Sequence, residues 1–459
     1  MRLVRQIRLH DTRSGTLQPL RPRDPGRVAM YACGPTVYGR IHVGNARPYV
    51  VFSLLKRFLE HERFAVTFVA NVTDVNDKIY DAARAAGVPS EQLAREMTAA
   101  YIADTDGLGL GRPDHEPLAS ETIDEIVALI QTLIDRGHAY AVEGDVYFDV
   151  RSYPEYGELS HRQVDDMDQG EGGEGTDRKR DPLDFALWKA QKEGEDTAWD
   201  TPWGRGRPGW HIECSAMAET LLGVGFDIHG GGSDLVFPHH ENEAAQTAAA
   251  RGEPLTRLWV HNGMVRLEGE KMAKSVGNIF LLHEALAAHG RDALIAYFCA
   301  GHYRQPIAYS DERLSEAARS VERIKDAGRR LVAGDSPSEL APLREAFFDA
   351  LADDFNTPRA LATVFEWVRE ANRRTEAGER VGEADLRAML AVFALDGLLD
   401  ADAAAGGPDA GARELLERRE TARAGKDFAE ADRLRDELAA LGWEVRDSAD
   451  GPTLVPRAG

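Results

Sequence analysis

Cysteine and long apolar runs are scarce in this sequence, and its basic residues are outnumbered by acidic ones. Its 459 residues include three cysteines, Cys33, Cys214 and Cys299. That is too few for a chain of this length to be held together by disulfides. We therefore expect each cysteine to bind metal, to take part in chemistry or to be buried in the core.

Membrane and export signals are also missing. No stretch approaches the roughly 18 uninterrupted apolar residues that a membrane-spanning helix needs. The N-terminal stretch MRLVRQIRLHDTRSG lacks the apolar centre of a secretory signal. A cytoplasmic protein with no membrane partner is the expectation.

The formal net charge is −22. This charge argues against indiscriminate nucleic-acid binding, because neutralising phosphates needs clustered Lys and Arg. It leaves room for a local basic path on an acidic body. For most of the acidic residues, solubility is the simpler explanation.

The length predicts two to four domains, and the 43% of apolar residues can form a substantial core. Residues 28–72 are predicted to form a β-α-β unit, with strands at 28–32 and 65–72. Between them, apolar residues recur at 51, 54, 55, 58 and 59, which is the spacing of one helix face. Strands that alternate with helices indicate a parallel sheet, whose ligands bind beyond the carboxyl ends of the strands. Cys33 and segment 35–45 lie at that edge.

The rest of the chain shows a change of pattern towards the C-terminus. A helix is predicted after Ser120 and is expected to end near Gly137. The polar, Gly-rich residues 165–181 are predicted to be a mobile loop. From about 310 to about 400 the pattern is almost wholly helical, and residues 400–412 have the composition of a linker. A charged helix over 413–441 and a small β-hairpin complete the chain.

Two separated segments, His42-Val43-Gly44-Asn45 and Lys271-Met272-Ala273-Lys274-Ser275, suit a nucleotide. Gly44 allows close approach to the backbone, and a helix start offers free N–H groups to phosphate. His42 and Asn45 can donate hydrogen bonds to phosphate or ribose. Lys271 and Lys274 can neutralise charge that develops as pyrophosphate departs. Taken alone, His42 would be interpreted about equally well as a helix cap, and an isolated pair of lysines would normally be solvated surface.

A second set of side chains has the composition of a metal site. His239 and Glu243 would share one face of a helix, and Cys33 and Cys214 would add two thiols, a donor set that suits zinc. Spacing alone does not choose between His239 and His240. It also leaves core packing as the simpler explanation for four scattered residues. Cys299 lies in an apolar helical context and is expected to be a buried packing thiol.

The two nucleotide segments resemble the HIGH and KMSKS signatures of class I aminoacyl-tRNA synthetases. Over essentially its full length, the sequence resembles the cysteinyl-tRNA synthetase family. Further matching stretches are 31–38 (YACGPTVY), 71–77 (NVTDVND), 208–215 (PGWHIECS), 227–234 (DIHGGGSD), 237–243 (FPHHENE) and 354–358 (DFNTP). There are two departures: Asn45 replaces the last His of HIGH, and Ala273 replaces the first Ser of KMSKS.

The resemblance implies an α/β fold with a Rossmann-type parallel-sheet catalytic domain at 1–309, carrying an insertion at roughly 115–205. An α-helical bundle would follow at 310–400, a linker at 401–412 and a small α+β anticodon-recognition domain at 413–459. The implied catalytic residues are His42, Asn45, Lys271 and Lys274, which together with Gly44 bind ATP. The implied metal ligands are Cys33, Cys214, His239 and Glu243, and the implied substrate-binding residues are Thr73, Trp210 and His229.

The implied reaction joins L-cysteine to tRNA(Cys) in two steps through cysteinyl-adenylate. It would use ATP with Mg²⁺ and one Zn²⁺ per chain, in a protein expected to be a monomer. Two rivals remain, a ligase of mycothiol biosynthesis that joins cysteine to an amino sugar and a catalytically inactive synthetase-like binding protein. The charged C-terminal helix resembles that of the synthetase and favours tRNA. Both lysines, His42 and the complete ligand set favour an active enzyme.

Overall fold

A four-stranded parallel sheet lies at the centre of the N-terminal half. The structure is a computed structural model that describes residues 5–167, 177–267, 280–400, 410–448 and 451–456. Lys271 and Lys274 lie outside the described residues, as do parts of the predicted loop at 165–181 and of the predicted linker at 401–412.

Strands and helices alternate through the first part of the chain. In order, the elements are β1 (Arg8–Asp11), β2 (Thr16–Pro19), β3 (Arg27–Ala32), α1 (Val43–His61), β4 (Ala65–Ala70), α2 (Asp77–Ala86), α3 (Ser90–Asp106), α4 (Ile123–Asp135), β5 (Ala139–Val142), β6 (Asp145–Phe148), β7 (Phe185–Ala190), β8 (Trp199–Thr201) and β9 (Gly204–Pro208). Next come α5 (Trp210–Leu222), β10 (Phe226–Gly232), α6 (Glu241–Arg251), β11 (Thr256–Asn262), β12 (Val265–Leu267), α7 (Leu282–His289), α8 (Arg291–Ala300) and β13 (Ile307–Tyr309).

The central sheet has the strand order β11-β10-β3-β4, with every neighbouring pair parallel. The predicted β-α-β unit is confirmed, since β3 and β4 pair in parallel and α1 connects them. The five apolar positions predicted to share a face of α1 are all buried. Burying that face against the sheet is what holds α1 in place, because packing stabilises a helix more than propensity does.

An antiparallel sheet interrupts the parallel one. Its strand order is β5-β6-β7-β9-β8, and its core includes the fully buried rings of Phe148, Phe185 and Trp188. The predicted helix after Ser120 is confirmed as α4, and Gly137 follows it with a φ of +78°, a left-handed conformation that glycine adopts at little cost.

The C-terminal part is mainly helical. Its elements are α9 (Asp311–Gly328), α10 (Ala341–Ala352), α11 (Thr357–Glu376), α12 (Ala384–Val392), α13 (Ala410–Ala424), α14 (Phe428–Ala440), β14 (Trp443–Ser448) and β15 (Gly451–Pro456). The predicted hairpin is confirmed, because β14 and β15 pair antiparallel with Val445 opposite Leu454.

The prediction of one charged helix over 413–441 is wrong. The chain breaks between α13 and α14, where Lys426 adopts a left-handed φ of +57°. Asp427 then caps α14 by accepting a hydrogen bond from the N–H of Glu430. A charged helix pattern does not show such a break, because the break depends on one residue's backbone conformation. In addition, α13 already begins at Ala410, inside the predicted linker. Among the described helices, none combines the length and the apolar character required to cross a membrane.

Candidate active site and metal centre

A cleft of about 370 Å³ opens at the carboxyl edge of the parallel sheet. The last residue of each strand lines it, namely Ala32, Ala70, Gly232 and Asn262. This is the edge at which a parallel sheet binds its ligands. The cleft is lined by His42, Gly44 and Asn45, which are predicted to bind ATP, by Cys33, one of the predicted metal ligands, and by Trp210.

His42 is the N-cap of α1. The N–H of Asn45 donates to His42 Nδ1 at 3.2 Å, and the N–H of His42 donates to Asn45 Oδ1 at 3.3 Å. This reciprocal pair satisfies two of the N–H groups that a helix start leaves unpaired. A Cβ atom at Gly44 would lie 2.8 Å from His42 Cε1, so glycine is needed there for the His42 ring to adopt this position. The helix-cap interpretation of His42 is confirmed, and its contact with a nucleotide stays a prediction.

The four buried side chains that were predicted to bind metal converge on one another. Cys33 follows β3, Cys214 is on α5, His239 is in the π-helical turn Val236–His240, and Glu243 is in the first turn of α6. Their donor atoms all lie within 4.8 Å of one another. Residues separated by up to 210 positions are thus brought together by the folding of four elements.

The distances suit a small tetrahedral ion. Cys33 Sγ lies 3.6 Å from His239 Nε2 and 3.4 Å from Glu243 Oε1, and the latter two atoms are 3.0 Å apart. Ligands bound to zinc at 2.0–2.3 Å are separated by roughly 3.3–3.8 Å in a tetrahedron. Two thiols, an imidazole and a carboxylate are also ligand types that zinc prefers. The residues present therefore fit a zinc ion.

An overlapping donor set lies beside the first. It consists of Cys33, His229, His240 and Glu243. His240 Nε2 lies 3.3 Å from Cys33 Sγ but 3.9 Å from Glu243 Oε1, whereas His239 is 3.0 Å from the same oxygen. The first set also contains both thiols, so it is the better match to zinc. Both histidines reach the site, since their Nε2 atoms lie 3.6 Å (His239) and 3.3 Å (His240) from Cys33 Sγ.

Further buried histidines hold the cluster from behind. His211 Nδ1 is 2.9 Å from His239 Nδ1, the ring nitrogen that faces away from Glu243. His229 Nε2 is 2.8 Å from Glu243 Oε2. Groups that bind the free end of a metal ligand fix its orientation and its tautomer. Sequence reasoning missed His211, although it lies within the matching stretch 208–215.

The cluster's electrostatics distinguish its two thiols. Burial raises the pKa of Cys214, but a hydrogen bond from Cys33 and the charge of His239 outweigh burial and lower that pKa to about 6. Burial lowers the pKa of His239, and the nearby Glu243 and Cys214 outweigh it and raise the pKa to about 10. Burial also raises the pKa of Cys33, and its hydrogen bond with Cys214 raises it further. These shifts favour the thiolate at Cys214 over that at Cys33, and a divalent cation that bound all four residues would displace the protons of Cys33 and His239.

The predicted substrate-binding residues surround this cluster in different ways. The Trp210 ring stacks on the His239 ring with centroids 4.3 Å apart, and it lines the cleft. Thr73 is buried and donates from Oγ1 to Glu213 Oε1 at 2.7 Å. Burial, together with the charge of Cys214, raises the pKa of Glu213 well above its usual value. Of the three predicted residues, Trp210 lines the described cleft, whereas Thr73 and His229 are buried and are not among the residues that line it.

Solved structures share this fold. The methionyl-tRNA synthetase of Mycobacterium tuberculosis, solved in complex with methionyl-adenylate, has a TM-score of 0.61 at 18% identity, over 82% of this chain and 91% of that chain. The leucyl enzyme of Agrobacterium radiobacter K84 has a TM-score of 0.60 at 12% identity, over 83% of this chain and 84% of that one. At these identities the likeness shows the fold, which is that of class I synthetases.

Three family models match the chain in succession. They are described as the class I (C) catalytic domain of tRNA synthetases, over residues 19–319, the DALR domain, over 346–395, and the cysteinyl-tRNA ligase anticodon binding domain, over 406–452. The chain is 46% identical to the cysteine–tRNA ligase of Alkalilimnicola ehrlichii, over 97% of this chain and 99% of that protein. It is 44% identical to that of Pseudothermotoga lettingae, over 98% and 99%. The chain belongs to the cysteine–tRNA ligase family of class I aminoacyl-tRNA synthetases.

Proposed function

We propose that this chain activates L-cysteine with ATP, giving cysteinyl-adenylate and pyrophosphate, and transfers the cysteinyl group to the terminal adenosine of tRNA(Cys). The observation that carries the proposal is that one cleft is lined both by a helix start suited to a nucleotide and by a thiol of the donor set. The cap of α1, formed by His42 and Asn45, lines the cleft together with Cys33, which belongs to the two-thiol donor set. An ATP site and a thiol-selective site that share a cleft are what cysteine activation needs.

We propose that Cys33, Cys214, His239 and Glu243 hold one Zn²⁺ per chain. A bound zinc ion would coordinate the substrate's sulfur and favour its deprotonated form, a preference that the hydroxyl of serine cannot meet. A cavity that relied on shape alone would discriminate poorly between two such similar side chains. The Trp210 ring, which stacks on His239 and lines the cleft, would lie beside the bound amino acid. Thr73 and His229 are proposed to complete the amino-acid pocket.

The ATP site is proposed to consist of His42, Gly44, Asn45, Lys271 and Lys274. The start of α1 offers N–H groups and a favourable dipole to phosphate. ATP would enter with Mg²⁺, and the cysteine carboxylate would attack its α-phosphorus. The two lysines would then stabilise the charge on the departing pyrophosphate. No protein nucleophile is required, because orientation and electrostatics suffice for adenylyl transfer.

We propose that the C-terminal region binds tRNA. The matches to a DALR domain and to an anticodon binding domain support this, and they favour tRNA over an amino-sugar acceptor. The proposed organisation is a catalytic domain at 1–309 with an insertion at roughly 115–205, a helical bundle at 310–400, a linker at 401–412 and an anticodon-recognition domain at 413–459. A cytoplasmic monomer is proposed for the whole chain.

One paired assay tests the acceptor. The enzyme is incubated with ATP and cysteine, and either tRNA(Cys) or the amino sugar of mycothiol biosynthesis is supplied. We expect product with tRNA alone. Product with the amino sugar alone would overturn the assignment, and product with neither would favour an inactive binding protein.

A cysteine pair tests the metal. Cys214→Ser removes a thiol from the donor set, whereas Cys299→Ser removes a buried thiol from α8, where burial alone raises the pKa. We expect C214S to lose bound zinc, measured by elemental analysis, and C299S to retain it. Equal zinc content in the two variants would contradict the proposed ligand set.

A further inference from the structure

Arg47 is a buried cation in the second turn of α1. Its side chain is almost completely buried, with 1% of its surface exposed. Nη1 donates to the carbonyl oxygens of Gly263 at 2.5 Å and Met264 at 3.1 Å. Nη2 donates to those of His302 at 3.1 Å and Gln305 at 2.7 Å. One guanidinium group thus connects three segments of the chain.

This arrangement is a costly way to stabilise a fold. Within the described part of the chain, all four acceptors are neutral backbone carbonyls, so the buried charge has no carboxylate to offset its desolvation. Burial lowers the pKa of Arg47 to about 10, which still leaves it protonated at neutral pH. The planar fork of arginine can reach four acceptors in fixed directions, whereas the ammonium of lysine cannot.

Two of the four carbonyl groups that accept from Arg47 belong to residues in a wall of the cleft. Gly263 and Met264 line the cleft together with His42 and Gly44, which come from the start of α1. Arg47 is one turn from that start. Its hydrogen bonds therefore fix how far the helix cap lies from the wall formed by residues 263–264.

The second pair of carbonyls lies in a loop that packs tightly on this wall. The N–H of Gly263 donates to Tyr303 O at 2.8 Å, and the N–H of Ile307 donates to Met264 O at 3.0 Å. A Cβ atom at Gly263 would lie 2.5 Å from the backbone of Gln305, so a side chain there would separate the two segments. Residues 263–264 and 302–305 are thus packed and hydrogen-bonded together as one unit.

Asp354 attaches that unit to the helical region. Its carboxylate accepts from Tyr303 Oη at 2.9 Å, from Arg304 Nε at 2.7 Å and from the N–H of His10 at 2.8 Å. Asp354 and Phe355 both have left-handed backbones, with φ of +63° and +45°. Non-glycine residues persist in that region only where their surroundings hold them there. The contacts of Asp354 supply that constraint.

We propose that Arg47 is a positioning residue for ATP, setting the separation between the cap of α1 and the 263–264 wall, with Asp354 anchoring the far side of that wall. The inference rests on the proposed ATP-dependent activation of cysteine. In this role the Arg47 side chain does not touch the reacting groups itself, and it acts on them through the backbone segments that it holds in place.

The test is Arg47→Lys, which keeps the charge and loses the fork. Cysteine-dependent pyrophosphate exchange is measured while ATP and cysteine are varied separately. We expect kcat/KM for ATP to fall about 100-fold, the effect of a displacement on the order of 1 Å at a reacting site. The KM for cysteine should stay close to that of the wild type, since the donor set around Cys33 keeps its contacts.

Arg57→Lys is the matched control. Arg57 is on the same helix and also donates to a carbonyl oxygen, Ala391 O, from Nε at 2.9 Å, but it lies at the other end of α1. We expect R57K to leave both kinetic parameters near wild type, whatever it does to the melting temperature. Asp354→Asn weakens the anchor without changing its size and should give a smaller loss for ATP in the same direction.

Three results would overturn the inference. They are wild-type kinetics for ATP in folded R47K, a loss shared equally by ATP and cysteine, and equal effects of R47K and R57K. If R47K does not fold, D354N decides the matter, and unchanged kinetics for ATP in that variant would count against the inference. Absence of cysteine-dependent exchange in the wild type would instead contradict the proposed function.

Discussion

His211→Phe should weaken zinc binding without disturbing the ATP end of the cleft. His211 Nδ1 lies 2.9 Å from His239 Nδ1, and both rings are buried. If His239 binds zinc through Nε2, its Nδ1 carries the hydrogen and His211 accepts it. Phenylalanine fills the same space beside Phe185, whose ring centroid is 5.7 Å from that of His211. The substitution therefore removes the acceptor and retains the packing.

The expected size follows from the lost hydrogen bond. A buried N–H without an acceptor costs about 1–3 kcal/mol. At 1.4 kcal/mol per factor of ten, this cost predicts a roughly 10–100-fold weaker zinc affinity, the range typical of groups that orient a metal ligand. The KM for cysteine should rise in parallel, and the KM for ATP should not change.

The assay is competition for zinc against a chelator of known affinity, followed by pyrophosphate exchange at varied cysteine concentration. Ser215→Ala is the control, because Ser215 is buried on the same helix and donates to Gln246 Oε1 at 2.6 Å, away from His239. A zinc affinity of H211F equal to that of the wild type would refute the reasoning. An equal loss in S215A would do so as well, since it would show general destabilisation.

Three further predictions concern packing, charge and catalysis. Gly230→Ala should lower the free energy of unfolding by about 1–3 kcal/mol in a urea titration, because the new methyl group would lie 2.0 Å from Phe52 Cζ in the centre of the sheet. Burial raises the pKa of Asp77, but Lys189 and Arg207 outweigh it and hold that pKa below 3.8. The contribution of this carboxylate to stability is thus present above its unfolded pKa and lost as the pH falls through its folded pKa. Asp77→Asn should therefore lower the free energy of unfolding by about 1 kcal/mol at neutral pH. In urea titrations at a pH below 3.8, the variant and the wild type should approach the same free energy of unfolding. Lys274→Ala should slow pyrophosphate exchange about 100-fold.

Each of these variants has a second variant as its control. Gly397→Ala adds a methyl group where nothing lies within 4 Å and should leave the stability unchanged. Asp81→Asn removes an exposed partner of Arg84 on the same helix as Asp77 and should have little effect at any pH. Ala273→Ser restores the serine of the KMSKS signature and should change the exchange rate only modestly. A large rate gain in A273S would show that this departure from the signature limits the enzyme.

Local patterns predicted local structure well. The helix face of α1, the strands on either side of it and the terminal hairpin were all predictable, because each depends on residues close in sequence. The break between α13 and α14 was missed because it depends on the backbone of Lys426, and apolar periodicity does not report one residue's φ angle. For the same reason, sequence could suggest that His42 caps a helix but could not establish that Asn45 returns the hydrogen bond.

The donor set shows where spacing stops being informative. A four-residue separation predicts that His239 and Glu243 share a face, and the 3.0 Å between their side chains agrees with that expectation. Spacing gives His240 and Glu243 an equal claim, and the π-helical turn does bring both histidines to Cys33, at 3.6 Å and 3.3 Å. The sequence ambiguity thus reflects two overlapping donor sets, which differ mainly in whether a second thiol or a second imidazole completes them.

Arg47 marks a different limit. Positions 43, 46, 47, 50, 51 and 54 follow one face of α1, and every one of them is buried, so a cation at 47 sits where the pattern demands an apolar residue. Such a violation predicts that partners exist, because an unpaired buried charge would destabilise the fold. The sequence pattern cannot identify these partners, since they are backbone carbonyls 216 to 258 positions away. Every residue has a backbone carbonyl, so the residue type does not show which one accepts the hydrogen bond. A charged residue on the apolar face of a helix that begins at a ligand site can therefore be recognised from the sequence as a residue with a specific role. The structure is needed to identify the groups that it holds in position.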